Sequence, residues 1–171
     1  MKSTALKYGG ISGLILAVLF ALSLAIFGGE EPNYELSEVI GYVTMILSML
    51  VVFFGIKSYR DDTLGGVISF KTAFLTGLGI AAVGALIFVA FDTVYVTLIN
   101  PDFFNDYMAW QIETMQADGA STEEIKKVRD QFEMFAGTTG LAISAVIMFL
   151  TVFLIGLVVS LISATILKKT A

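Results

Sequence analysis

The candidate side chains for docking fall in one short stretch. Lys57, Tyr59, Arg60, Asp61 and Lys71 all lie within residues 57–71. Three cations and a phenol at that spacing suit a lipid phosphate or the docking of a partner protein. The plainer reading is an orientation anchor and a turn. Asp61 or Asp62 can pair with Arg60, Gly65-Gly66 permits a tight reversal, and Ser69 can cap the next helix. Asp92 is the ionisable residue closest to the apolar run before it. It is expected to end that run in water. As a proton or cation site it would need a partner, and no basic residue is near it in sequence.

Other chemistry is removed by composition. The chain has no Cys and no His, which excludes disulfides, thiolate nucleophiles, sulfur-held metal centres and His-based catalysis. Serines and threonines have no recognisable base, and no carboxylate pair is set for acid–base work. The acidic segments lack EF-hand spacing. No catalytic, cofactor-binding or metal residue is therefore assigned. The expectation is a non-enzyme with no cofactor.

The elements that must position these residues are membrane helices. Of 171 residues, 57% are hydrophobic and 15% charged, against roughly 25% charged in a soluble domain. Mean hydropathy is +0.87. Four uncharged runs approach the roughly 20 residues that cross the bilayer core. They predict spans at about 8–29, 39–56, 72–95 and 141–167. Backbone amides in hydrocarbon must be satisfied within their own segment, so these spans are helices. No charge or broken helix is expected near a midplane, where ion-coupled carriers place them. Lys2 and Lys7 before the first run, with Ser23-Leu24-Ala25, resemble a signal peptide, but the run is longer than a signal core and is read as a retained anchor.

Small residues recur inside the spans. Gly9, Gly13, Ala17, Ala21 and Ala25 lie four apart, as do Ala73, Gly77, Ala81 and Ala85, and Gly156, Ser160 and Ala164. Such ridges let helix backbones approach closely in lipid. The second span carries Gly41, Ser48 and Gly55 at a seven-residue period instead. These ridges could pack one four-helix bundle, or seat a second copy or another protein's spans.

Charge sets the orientation. With four spans both termini share a side. Lys2, Lys7, Lys57, Arg60, Lys71, Lys168 and Lys169 fall there with Asp61 and Asp62, while the other side holds Lys126, Lys127 and Arg129, in the middle of the long segment, and the remaining acids. Positive residues stay inside, so both termini are expected in the cytoplasm. The net charge of −5 arises outside and gives no support to nucleic-acid binding.

The segment at about 101–136 reads as an outer helical hairpin. Asn100-Pro101 breaks the third helix, Gly119 stops the next, and Ser121 to Glu124 forms a capping box. One helix presents Phe104, Met108, Ile112 and Met115, with Phe103, Tyr107 and Trp110 on a neighbouring face. The other presents Ile125, Val128, Phe132 and Phe135. The two stripes are expected to pack on each other, with a partner or lipid as the alternative.

The stretch Gly55-x-Lys57-Ser58-Tyr59-Arg60-Asp61, then Gly65-Gly66-x-Ile68-Ser69-Phe70-x-x-Ala73-Phe74-x-x-Gly77, resembles the signature of a family of small bacterial membrane proteins, domain of unknown function 4199. The ending Ser160-Leu161-Ile162-Ser163-Ala164 and Lys168-Lys169 is similar to that family's C-terminus. The resemblance implies a four-span protein of the bacterial inner (plasma) membrane with both termini inside, and no activity or site residue. The expected fold is thus all-α, a single domain over 1–171 with four transmembrane helices up-down-up-down. The expected role is a non-enzymatic accessory or structural subunit packing against other membrane helices or lipids. The alternative is a small oligomeric transporter or channel.

Overall fold

A computed structural model of the chain describes residues 1–27, 33–135 and 137–169. Among these the structure is helical: α1 (Lys2–Phe27), α2 (Tyr34–Met49), α3 (Val51–Ser58), a π-turn (Tyr59–Thr63), α4 (Phe70–Val94) running on in π form (Tyr95–Ile99), α5 (Phe103–Ala117), α6 (Thr122–Glu133) and α7 (Gly137–Leu167). Four stretches are long and apolar enough to cross a membrane: Lys2–Phe27, Tyr34–Thr63, Phe70–Ile99 and Gly137–Leu167.

Each helical stretch extends beyond at least one end of its predicted span, because a charge marks where hydrocarbon ends and not where a helix ends. Helix α1 begins at Lys2. Helix α2 begins at Tyr34, before Glu35 and Glu38, with the Asn33 side chain accepting from the Leu36 N–H at 2.9 Å. Residues 34–38, which precede the second predicted span, are therefore helix, and Glu30, Glu31 and Pro32 lie outside the described residues. So do Gly28 and Gly29, at the end of the first predicted span, and Ala136, at the end of the predicted hairpin. Helix α7 starts at Gly137 (φ 65°), earlier than the predicted Leu141.

The second span is interrupted, against expectation. At Leu50 the spacing tightens: its N–H donates to Leu47 O at 3.2 Å, and Phe53 N–H donates to Leu50 O at 3.1 Å. Ser48 Oγ donates to Met45 O at 2.9 Å, a back-bond that bends helices. The hydroxyl of Ser12, on α1, donates to Ser48 O at 2.9 Å. A carbonyl beside the break is thus satisfied from a neighbouring helix. No Pro or Gly marks the site, so no simple breaker signalled it.

The chain divides into two compact units, Met1–Val89 with Met148–Ala171, and Ala90–Ile147. The first is held by small residues. A Cβ built on Gly9 would lie 2.6 Å from Val83 Cβ, and one on Gly13 would lie 2.7 Å from Ile87 Cβ and 2.8 Å from Gly84 O. Helices α1 and α4 therefore touch backbone to backbone. A Cβ on Gly77 would meet Ser160 Oγ at 2.6 Å, and one on Gly156 would meet Ala81 Cβ at 2.5 Å, so α4 and α7 meet in the same way. Met49, fully buried, fills the space between them. Its Sδ would lie 3.0 Å from a Cβ on Gly156 and its Cε 3.3 Å from one on Gly84. A flexible thioether suits such a gap.

The second unit is held by aromatic rings. Phe104 stacks on Phe135 at 5.9 Å, and Tyr107 meets Phe132 at 6.0 Å, which joins α5 to α6. Tyr95 meets Phe103 edge-on at 5.9 Å. The reversal between α5 and α6 uses Gly119 at φ 80°, a conformation that costs an L-residue energy. The capping box on α6 is formed as the Ser121–Glu124 spacing predicts.

Candidate functional site

The residues predicted for headgroup or partner docking surround the loop between α3 and α4. After α3 the backbone closes a π-turn, with Leu64 N–H donating to Tyr59 O at 3.2 Å and Gly66 N–H to Arg60 O at 2.9 Å. Gly65 (φ 67°) and Gly66 (φ 93°) make the reversal. The returning strand of loop then pairs with the end of α7: Ile68 N–H donates to Lys169 O at 3.0 Å and Lys169 N–H to Ile68 O at 2.9 Å. Ile68 and Leu167 are buried beneath this pairing. Thr72 N–H donates to Ser69 Oγ at 3.2 Å, so Ser69 caps α4.

Arg60 is the centre of this clasp. Its Nε and Nη2 donate to the two Asp61 carboxylate oxygens at 2.7 and 3.1 Å, a bidentate fork. Its Nη1 donates to Leu167 O at 3.3 Å, one of the carbonyls that a helix end leaves without a partner. Ser58 Oγ donates to Asp62 Oδ2 at 2.6 Å. Arg60 and Asp61 are thus turned toward each other and toward α7. Tyr59 is half-buried, while Lys57 and Lys71 are exposed and make no ion pair among the described residues. The structure places the five residues on or beside one loop, with the Lys57 and Lys71 side chains exposed. The pairing of the loop with the C-terminal segment had no signal in the sequence, since the two stretches are about a hundred residues apart.

The small-residue ridges are used unevenly. Gly9, Gly13, Ala17, Ala73, Gly77, Ala81, Gly156 and Ser160 are buried, whereas Ala21 and Ala25 are exposed. A strict four-residue period advances about 40° per step on a helix of 3.6 residues per turn. The α1 ridge consequently winds off the seam after Ala17, and Ser23 is buried in place of the later alanines. Gly84, absent from the predicted ridges, meets Gly13 through its carbonyl, beside Ile87.

The hydroxyls inside this unit form no open site. Thr44 donates to Gly41 O at 2.8 Å, Thr76 to Thr72 O at 2.8 Å and Ser160 to Gly156 O at 2.6 Å. Each turns back on its own helix. Among the described residues no buried side-chain nitrogen or oxygen lacks a partner, and no group of three or more acidic side chains is set to hold a metal.

The second unit contains an apolar pocket of about 250 Å³, lined by Phe103, Phe104, Tyr107, Phe132 and Phe135. The predicted α5 stripe supplies Phe104, and the neighbouring face supplies Phe103 and Tyr107. At the α6 cap, the Ser121 hydroxyl and its backbone N–H donate to Glu124 Oε2 at 2.7 and 2.8 Å. These bonds hold the Glu124 carboxyl below the ordinary carboxylate range. Asp92, expected in water, is instead buried at 7% exposure.

Among the described residues, an all-helical fold with four helices long and apolar enough to span a membrane defines the class. Within that class, the chain belongs to the family described as Protein of unknown function (DUF4199), whose model matches residues 7–169. No curated protein and no solved structure matches it.

Proposed function

We propose that this chain is a non-enzymatic accessory or structural subunit of the bacterial inner membrane, with both termini cytoplasmic, which packs against other membrane helices or lipids. One observation carries the reading: the small-residue contacts and buried hydroxyls are closed within the chain, so what remains for recognition is its outer surface. Helix α7 is the least covered of the long helices, with 17% of its most apolar window buried against 39% for the second and third spans. Leu150, Leu154, Val158 and Leu161 are exposed along it. Lipid covers such a face readily, and so does a partner helix. Lys57 and Lys71 bear on the same role at phosphate depth, where a cation near the surface is worth about 1 kcal/mol toward anionic lipid.

A photo-crosslinking side chain at Leu154 tests the subunit role in native membranes. The expected product is a discrete adduct with a second membrane protein, recovered in near-stoichiometric amount. Adducts confined to lipid and to further copies of this chain would overturn the subunit role and leave a small oligomeric transporter or channel as the better reading.

A further inference from the structure

Three span ends are tied together at one place. Lys57 directly follows the second predicted span, Lys71 directly precedes the third and Lys168 directly follows the fourth. The Ile68–Lys169 backbone pairing and the Arg60 bond to Leu167 O join the α3–α4 loop to the end of α7. This joint gathers Lys57, Arg60, Lys71, Lys168 and Lys169 around two carboxylates, Asp61 and Asp62. Arg60 is already engaged by Asp61 through its bidentate fork, and Asp62 accepts from Ser58. The four lysines are exposed and make no ion pair among the described residues. Lys57 and Lys169 both attract the Asp61 carboxylate through space, so cations from two distant segments share one field.

Such a cluster opposes its own closure. Pairing Lys169 with Ile68 brings Lys168 and Lys169 toward Lys57, Arg60 and Lys71, and like charges repel. An anionic surface would supply the missing countercharge. At the end of a membrane span that surface is made of lipid phosphates, whose attraction for a cation fades within a Debye length. We propose that anionic lipid headgroups occupy this cluster and close the joint, so that the loop and the C-terminal segment act as one phosphate-binding surface. The Ile68–Lys169 pairing is then firmer on an anionic leaflet than on a neutral one, because what binds only the closed form stabilises it. The proposal names the lipid partner within the function read above and rests on its membrane placement. The pairing itself uses backbone atoms alone, so the lysine charges can be removed without removing it.

The test is amide hydrogen exchange of the full chain in nanodiscs, of phosphatidylcholine alone and of an equal mixture with phosphatidylglycerol. The Gly65 amide, in the same loop, corrects for the change in surface pH. Exchange at Ile68 and Lys169, relative to Gly65, is expected to be roughly fivefold slower in the mixture, the worth of about one cation held at an anionic surface. The double variant Lys168→Gln with Lys169→Gln is expected to lose that lipid response. Equal relative exchange in the two lipids, or a variant that keeps the full response, would overturn the proposal. Inorganic phosphate added to the phosphatidylcholine discs should change little. An equal slowing there would assign the cluster to a free anion and overturn lipid as its occupant. If the variant fails to fold, the wild-type lipid contrast and the phosphate arm still decide. The Leu154 adduct reads the subunit role without reference to these lysines, so either reading can fail alone.

Discussion

The two units solve the same problem with opposite materials. In the first, Gly9, Gly13, Gly77 and Gly156 remove side chains so that backbones meet. In the second, Phe103, Phe104, Tyr107, Phe132 and Phe135 add large rings that meet across α5 and α6. The difference follows from the solvent each sequence is built for. Apolar side chains gain little from leaving lipid, so contact between spans must come from close packing and hydrogen bonds. Helix α6 is strongly amphipathic, with charged positions beside its Val128 and Phe132 stripe, and a hairpin with a polar face gains from burying rings. A backbone seam tolerates no added volume, whereas a ring cluster with a pocket in it does.

The comparison can be broken at several points. The largest effect is expected for Gly13→Leu or Gly77→Leu. Added volume in a packed core costs about 1–3 kcal/mol and sometimes more, and backbone seams lie at the upper end. Loss of the monodisperse species in detergent is the expected readout. Gly41→Ala, where a Cβ meets nothing within 4 Å, should be silent. Normal assembly of both leucine variants would mean that the seams yield.

Phe132→Ala should come next. Full burial would make the loss 3–5 kcal/mol, and a half-buried ring facing a pocket should lose about 2 kcal/mol. Hydrogen exchange is expected to speed up in α5 and α6 and to stay unchanged in α1. Equal acceleration in both would show that the units unfold together.

A smaller effect belongs to Ser12→Ala, which removes the hydroxyl that holds Ser48 O at the α2–α3 break. Interhelical hydrogen bonds in membranes average about 0.6 kcal/mol, so a small fall in thermal midpoint is expected. Faster exchange should appear around Leu50. A fall as large as that of Gly13→Leu would make the break, and not the glycine seam, the keystone of the unit.

The smallest effect concerns the α6 cap. Glu124 titrates below its unfolded value, so its contribution is present above the unfolded value and is lost as pH falls through the folded one. Acidification should fray the first turn of α6, and Ser121→Ala should weaken that pH response, leaving the share that the Ser121 backbone N–H supplies. A response undiminished in Ser121→Ala would assign it to another carboxylate.

How much of this was legible varies by residue. Ser121 and Glu124 sit three apart, so their mutual cap follows from local geometry. Gly9 and Gly13 were visible as a repeat, yet the repeat could not say that Ala21 would leave the seam or that Gly84 lay opposite. Asp92 was expected in water, yet only 7% of its surface is exposed, and nothing in the residues beside it along the chain signals that.

By itself the sequence determined that the chain is helical, that four stretches are long and apolar enough to cross a membrane, and where Ser69, Ser121 and Gly119 start or stop helices. Those properties depend on composition and on contacts a few residues apart. Only the tertiary structure decided that α2 breaks at Leu50, that Arg60 reaches Leu167 and Ile68 pairs with Lys169, and that Asp92 is buried. Each of these joins atoms distant along the chain or covers them from another element. In a sequence whose spans are nearly uniform in hydrophobicity, nothing local tells one helix face from another.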